Sequence, residues 1–197
     1  MRRMALVPFV ALAMAGCTTP TGPVQVTRFV AEAQQERLGS GTIFVEAMAD
    51  DGAGSDRLLT YQGAVARELT GLGYRETARG EATQIAQVRV VQDLVGTRRS
   101  PVTVGGGGSV GSYGSGAGVG IGINLGGNNT EKLSTRLEVR INDAASGEAL
   151  WEGRALFDIA SSSLLADSAQ NASVMAEALF RSFPGSNGET VQVDVVP

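Results

Sequence analysis

The first clear periodicity in the chain is that of an amphipathic helix. Apolar residues recur at spacings of three and four, which places them on one helix face: Leu58, Tyr61, Val65, Leu69 and Leu72. Ser55 or Asp56 can cap the amino terminus of this helix, and Gly73 can supply the left-handed residue that ends it. The pattern therefore predicts a helix near residues 56 to 72, after which Tyr74 returns to the core.

A second apolar stripe lies near the carboxyl end. Its members share the same spacing and form a small-residue face: Leu165, Ala169, Ala172, Ala176, Leu179 and Phe180. Serines at positions 161 to 163 are candidate caps, and Pro184 sets a limit beyond which the helix cannot continue. This pattern predicts a second helix near residues 165 to 182.

Other segments alternate apolar and polar residues with a period of two and are rich in β-branched residues, which is typical of strands. They cover residues 24 to 30, 42 to 48, 84 to 95, 133 to 141 and 149 to 159. Val191, Val193 and Val195 indicate a short closing strand, and residues 31 to 38 suit a helical turn that Gly39 to Gly41 interrupts.

The strands at 133 to 141 and 149 to 159 predict a hairpin. Asp143 can cap the intervening turn and Gly147 can adopt positive φ there. One face is then apolar and buried, with Leu133, Leu137, Val139 and Ile141 opposite Trp151, Ala155, Phe157 and Ile159. The other face, with Arg136, Glu138 and Arg140, is expected in water. Trp151 is accordingly interpreted as a core residue rather than a stacking platform.

These elements together predict an α+β fold, in which two helices cover one face of a mostly antiparallel sheet. The chain has 197 residues, of which 43% are hydrophobic and 5% aromatic. That is enough for one domain, over residues 24 to 197, with an aliphatic core.

Residues 105 to 127 contain 12 of the 27 glycines, and the prediction is a glycine-rich loop linking two strands. Three alternatives stay open. Gly106, Gly108 and Gly111 match a phosphate-binding pattern, but no helix start follows them. Glycines spaced by four suggest a helix-packing zipper. The alternation of glycine with Val119, Ile121, Ile123 and Leu125 suggests a strand pair or a partner-binding strip.

Composition argues against several classes of activity. The chain has no histidine, which removes the usual general base and the commonest metal ligand. Its net charge is -4, and Lys132 is the only lysine, so nucleic-acid binding is not expected. Asp50, Asp51 and Asp56 lack the spacing of a calcium loop. We expect no catalytic residues, cofactor or metal site, and therefore no enzyme.

The amino terminus has the pattern of an export signal. Arg2 and Arg3 precede an apolar run at residues 4 to 16, which ends in small residues before Cys17. A membrane-spanning helix needs about 20 apolar residues, so this run is too short to span. We predict a signal peptide at residues 1 to 16, lipidation of Cys17 and a tether over residues 17 to 23. An ordinary secretory signal is the alternative.

Several motifs resemble those of a known family. Residues 14 to 17 resemble the lipobox of bacterial lipoproteins. The segments TIFVEAM, ELTGLGY, NDAASGEALWEGRA and ALFRSFPGSNGET, with the glycine-rich insert, resemble lipoproteins that carry "domain of unknown function 4136". The resemblance implies an envelope location and a mixed sheet-and-helix domain, and it implies no catalytic residues. Thr18 after the cysteine, rather than Asp, implies onward transport to the outer membrane.

The expected function is therefore a noncatalytic lipoprotein, held on the outer membrane by its lipid anchor and facing the periplasm of a Gram-negative bacterium. It is expected to bind another envelope protein or to serve a structural role. The alternatives are a carrier of a small ligand or lipid, and an enzyme that works without histidine.

Overall fold

The structure is a computed structural model, which describes residues 22–49, 55–96, 102–111, 114–123 and 131–195. The strands are β1 (Val24–Val30), β2 (Thr42–Ala47), β3 (Arg75–Glu76), β4 (Gln84–Val95), β5 (Val102–Gly111), β6 (Gly114–Ile123), β7 (Lys132–Asp143), β8 (Ala149–Ala160) and β9 (Glu189–Val193). The helices are α1 (Asp56–Gly71) and α2 (Ser168–Phe180), and short 3-10 helices cover Glu32–Arg37, Arg79–Glu81 and Leu164–Ala166.

Seven strands form one sheet in the order β3-β2-β4-β7-β8-β1-β9. Most neighbours are antiparallel, as expected, but β2 runs parallel to both β3 and β4. Parallel neighbours need a crossover connection, and α1 supplies it between β2 and the strands that follow. The sheet is therefore mixed at the edge where α1 packs and antiparallel from β4 to β9.

Both helices pack on the same face of the sheet. They contact each other, α1 contacts β2 and β4, and α2 contacts β8 and β1. The alternation along β7 and β8 places the expected residues beneath them, because Leu137, Val139, Ile141, Trp151 and Phe157 are all buried. The predicted α+β architecture is confirmed at this level.

The start of α2 differs from the expectation. Of the predicted caps at residues 161 to 163, Ser163 caps the short 3-10 helix and not α2. Its hydroxyl accepts a hydrogen bond from the backbone N–H of Leu165. Asp167 has an extended backbone and caps α2 itself by accepting from Ala169. The helix predicted from residue 165 is therefore interrupted at Asp167 and begins only at Ser168. Ala169, predicted on the buried stripe, is exposed.

The ends of α1 follow the sequence pattern. Ser55 accepts a hydrogen bond from the N–H of Leu58, and the helix ends at Gly71. Gly73 has φ +110, and a Cβ on it would lie 2.8 Å from the carbonyl oxygen of Gly39. A glycine is needed at position 73 both for the left-handed conformation and because the backbone at Gly39 approaches so closely.

The turn between β7 and β8 also follows the prediction. The carboxylate of Asp143 accepts hydrogen bonds from the N–H groups of Ala145 and Ser146 and from the Ser146 hydroxyl. These bonds and the nearby Arg37 lower the pKa of Asp143 to about 2. Gly147 has φ +73, as expected for this turn.

The glycine-rich segment is not a plain loop. β5 and β6 pair as an antiparallel two-stranded sheet, from Val102 opposite Ile123 to Gly111 opposite Gly114. Val and Ile alternate with glycine along much of this segment, and extended backbone is what such alternation favours. The loop prediction is corrected for these residues, and the strand-pair alternative describes them better.

Candidate functional site

The predicted lipidation site lies outside the described residues. This holds for Cys17, for the signal peptide at residues 1 to 16 and for the tether up to residue 21. Asp50 and Asp51 also lie outside the described ranges. The described residues contribute the surfaces and buried clusters of the fold.

The helix-free face of the sheet carries paired charges. Arg79 Nε lies 2.8 Å from Glu46 Oε2, and the amide of Gln87 donates to Glu46 Oε1. These two donors outweigh the partial burial of Glu46, so its pKa is lowered from the usual value. Asn142 donates in turn to Gln87 over 3.1 Å. The row is therefore internally satisfied, as expected of a solvated sheet face.

A second charge row crosses β7, β8 and β1 on the same face. Glu152 accepts from Arg140 over 3.1 Å and from Arg154 over 2.5 Å, and the Arg154 guanidinium stands 5.9 Å from the centre of the Phe29 ring. Beside this row is a depression of about 340 Å³, lined by Gln25, Thr27, Arg136, Glu138, Arg154, Ala155 and Leu156. It is open to solvent and lined mainly by polar groups.

Arg28 is a buried residue that sequence reasoning missed. Its guanidinium donates to the carbonyl oxygens of Ala178, Leu179 and Arg181, at the carboxyl end of α2, and pairs with Glu189 at 2.7 Å. A cation at this end offsets the helix dipole and satisfies its last carbonyl groups. The sequence carries a signal for this burial, because strand alternation puts Arg28 on the same face as Val24, Val26 and Val30.

The segment after α2 is fixed to the sheet around Trp151. The indole stacks on Phe180, its N–H donates to the carbonyl of Pro184, and it contacts Phe183. Asn187 then accepts from the N–H of Val30. The tail motif ALFRSFPGSNGET, with its cis Phe183–Pro184 bond, thus serves packing. The core role predicted for Trp151 is confirmed.

A buried polar cluster joins both helices to the sheet. The Tyr61 hydroxyl donates to Asn171 Oδ1 over 2.7 Å, and Gln92 donates both to Tyr61 and to Thr135. Asn171 donates to the carbonyl of Leu165. Burial raises the pKa of Tyr61 to about 12. Each of these groups has a partner, so the cluster fits a structural role better than a reactive one.

The β5–β6 hairpin has two unlike faces by register. One face holds glycine at every position except Thr103 and Ser109. The other holds mainly apolar residue types: Val102, Val104, Val110, Ala117, Val119, Ile121 and Ile123. The sequence has no charged residue from Ser100 to Thr130. These two faces fit the partner-binding strip, which is one of the alternatives that the sequence suggests for this segment.

The described residues contain no group of three or more Cys, Asp or Glu side chains placed to hold a metal ion. Within the same ranges, neither α1 nor α2 combines the length and apolar content that a bilayer-crossing helix requires.

Comparisons with known proteins give only distant similarities. No family model and no curated protein matches the chain. Among solved structures, a PDZ domain protein from Parabacteroides distasonis is similar over 87% of this chain and 39% of that one, at 16% identity and a TM-score of 0.49. A PelC dodecamer from Paraburkholderia phytofirmans is similar over 80% of this chain and 94% of that one, at 10% identity and a TM-score of 0.46. These scores support no argument about function.

Proposed function

We propose that the chain is a noncatalytic lipoprotein of the bacterial envelope, held on the outer membrane by acyl chains on Cys17 and facing the periplasm. It resembles the lipoproteins with "domain of unknown function 4136", and we propose that it belongs with them. Residues 1 to 16 are the signal peptide that export removes, and residues 24 to 197 fold as one domain.

The observation that carries the proposal is the export signal that ends in small residues directly before Cys17, and the short segment after Cys17 fits it. β1 begins at Val24, so only residues 17 to 23 separate the lipid from the sheet. Seven extended residues span at most about 25 Å. Two or three acyl chains give stable anchoring, and a tether of this length holds the domain against the membrane.

The polar groups of the fold support a binding role over catalysis. Several charges on the open face are paired with one another, as in Arg79–Glu46 and Arg140–Glu152. The buried tyrosine Tyr61 is held in its neutral form. Catalytic groups usually have pKa values shifted toward neutrality, whereas the shift of Tyr61 is away from it.

Binding would use a sheet edge or the glycine-rich hairpin. In the described part of the chain β9 pairs with β1 alone, and its other side is an edge of the seven-stranded sheet. An edge strand offers unpaired N–H and C=O groups to which an extended partner segment can add. We propose another envelope protein as the partner, and neither nucleic acid nor a cofactor.

Metabolic labelling with palmitate tests the anchor. Cells expressing the full chain should incorporate label into it, and Cys17→Ala should abolish incorporation because the thiol is the acceptor. Thr18→Ala is the matched control and should label normally, while Thr18→Asp should label but fractionate with the inner membrane. Equal labelling of Cys17→Ala and the unchanged chain would rule out the lipoprotein assignment.

A further inference from the structure

One end of the seven-stranded sheet receives the chain from the tether. Val95, Lys132 and Ala160 lie side by side in the strand register and form this end. β1 enters close by, because Gln25 pairs with Leu156 and Gly22 approaches the carbonyl of Asp158. We call this region the tether end of the sheet.

The tether end exposes large apolar side chains. Leu94 and Val95, the last residues of β4, are 67% and 57% exposed. Leu164 is 84% exposed, in the 3-10 turn that follows β8. The N–H of Ser161 donates to the carbonyl of Glu131, which places this turn beside the start of β7. Single exposed leucines are ordinary, but several at one end indicate a contact surface.

The uncharged part of the chain leaves and re-enters the fold at the same end. β4 ends at Val95 and β7 begins at Lys132, directly opposite it. Between them the sequence from Ser100 to Thr130 has no charge. The start of β1, the exposed apolar residues and the two strand ends that flank the uncharged sequence therefore lie at one end of the sheet.

We infer that the tether end docks on the lipid surface, with Leu94, Val95 and Leu164 as apolar contacts. The inference rests on the proposed acylation of Cys17, since a tether of about 25 Å keeps this end near the bilayer. The occupant is the lipid itself, because an acylated Cys17 lies only seven residues before β1 and so keeps a lipid surface permanently within reach of these side chains. The chain is acidic overall, so electrostatic attraction to lipid contributes little, and the apolar side chains supply an attraction that salt does not weaken.

The depth of the contact follows from the charged residues at this end. Asp93, Glu131 and Lys132 are all exposed there, and Lys132 lies opposite Val95 in the register. Charged side chains are costly in hydrocarbon and acceptable among polar headgroups. The contact thus lies in the headgroup layer, and the folded sheet stays outside the hydrocarbon.

Fluorescence quenching in vesicles tests the docking. The full lipidated chain carrying Leu164→Cys is labelled with an environment-sensitive dye and reconstituted in neutral phosphatidylcholine vesicles that contain nitroxide-labelled lipid. Acylated Cys17 carries no free thiol, so the new cysteine alone reacts. The matched control is Ser186→Cys, which is exposed and near the junction of Val30 with Trp151, at the opposite end of the sheet.

Docking predicts several-fold stronger quenching at position 164 than at position 186, unchanged in high salt. Adding Leu94→Asp and Val95→Asp should reduce the quenching at 164 to the control level. Equal quenching at both positions in vesicle-bound protein overturns the inference and leaves the anchor intact. Failure of the unchanged chain to float with vesicles overturns the anchor as well. A dye at 164 that is already shielded without vesicles indicates a protein partner and also overturns the inference.

Discussion

At Gly153 the absence of a side chain makes room for the single tryptophan of the chain. A Cβ built there would overlap the Trp151 ring and would lie 2.8 Å from Leu179 Cδ1. Both neighbours are fully buried side chains that hold α2 on the sheet. The packing of the tail segment therefore depends on a glycine in the middle of a strand, where glycine is otherwise unfavourable.

Gly153→Ala should destabilise the fold by about 1–3 kcal/mol, because a methyl group is forced into a filled core. The matched control is Gly71→Ala on α1, where a Cβ would meet nothing within 4 Å and where alanine favours the helix by up to about 1 kcal/mol. Urea unfolding followed by Trp151 fluorescence measures both. If the two variants unfold at the same urea concentration, the close packing at Gly153 is wrong.

At the scale of elements, the two helices are joined to the sheet by hydrogen bonds as well as by apolar packing. Tyr61 on α1 and Asn171 on α2 meet Gln92 and Thr135 on β4 and β7. A buried network whose members are all satisfied fixes the relative position of the elements that it joins. The two helices should therefore respond together when this cluster is disturbed.

High pH should destabilise the fold through Tyr61. Its pKa rises from 10.0 to about 12 on folding, so the unfolded chain loses the proton first. The stabilisation is complete below pH 10.0 and is lost as the pH rises through about 12. Tyr61→Phe should weaken this loss and lower stability at neutral pH by about 1–2 kcal/mol. Unfolding free energies from urea curves at several pH values measure both effects.

Tyr74→Phe is the control for the alkaline effect, because burial also raises the pKa of Tyr74. This variant should keep the part of the pH dependence that belongs to Tyr61. If the unfolding free energy falls equally steeply with rising pH in Tyr61→Phe and in the unchanged chain, the alkaline effect does not come from Tyr61.

Local patterns were enough to predict most elements. Alternation alone located β1 and β4, and the Asp143–Gly147 turn was visible because its residues have distinct backbone roles. The break before α2 was not predictable, because apolar spacing runs through Leu165 and only the extended backbone of Asp167 separates the turn from the helix. β3, with two residues, is too short to show a period.

Long-range features were the ones that sequence could not supply. The parallel pairing of β2 with β4 depends on where α1 returns the chain, which no local pattern encodes. The acceptors of Arg28 come from the distant end of α2. The tether end likewise combines residues from β1, β4 and the turn after β8, so its exposed surface could be recognised only after the strand order was known.

At the scale of the whole molecule, the hairpin and the seven-stranded sheet are separate in their pairing. Replacing residues 97 to 130 with a four-residue turn should therefore preserve the fold, because Val95 already lies opposite Lys132. Each halving of a loop lowers its closure cost by about 0.6 kcal/mol, so stability should rise by up to about 2 kcal/mol. Urea unfolding monitored at Trp151 provides the measurement.

A Gly/Ser linker of equal length is the control for that deletion, and its stability should match that of the unchanged chain. Lower stability in both variants would mean that the hairpin packs on the main sheet. The shortened variant also bears on binding: capture of an envelope partner by the unchanged chain, but not by this variant, would assign the partner site to the hairpin.

The position of β1 between β8 and β9 governs the order in which the fold can be completed. The first strand to emerge during synthesis finds its neighbours only among the last segments, since Val26 pairs with Ala155 on one side and Val191 on the other. Until then both edges of β1 have unpaired backbone groups and are open to unwanted pairing. A nascent chain with this topology can therefore complete its sheet only when nearly all of it is available.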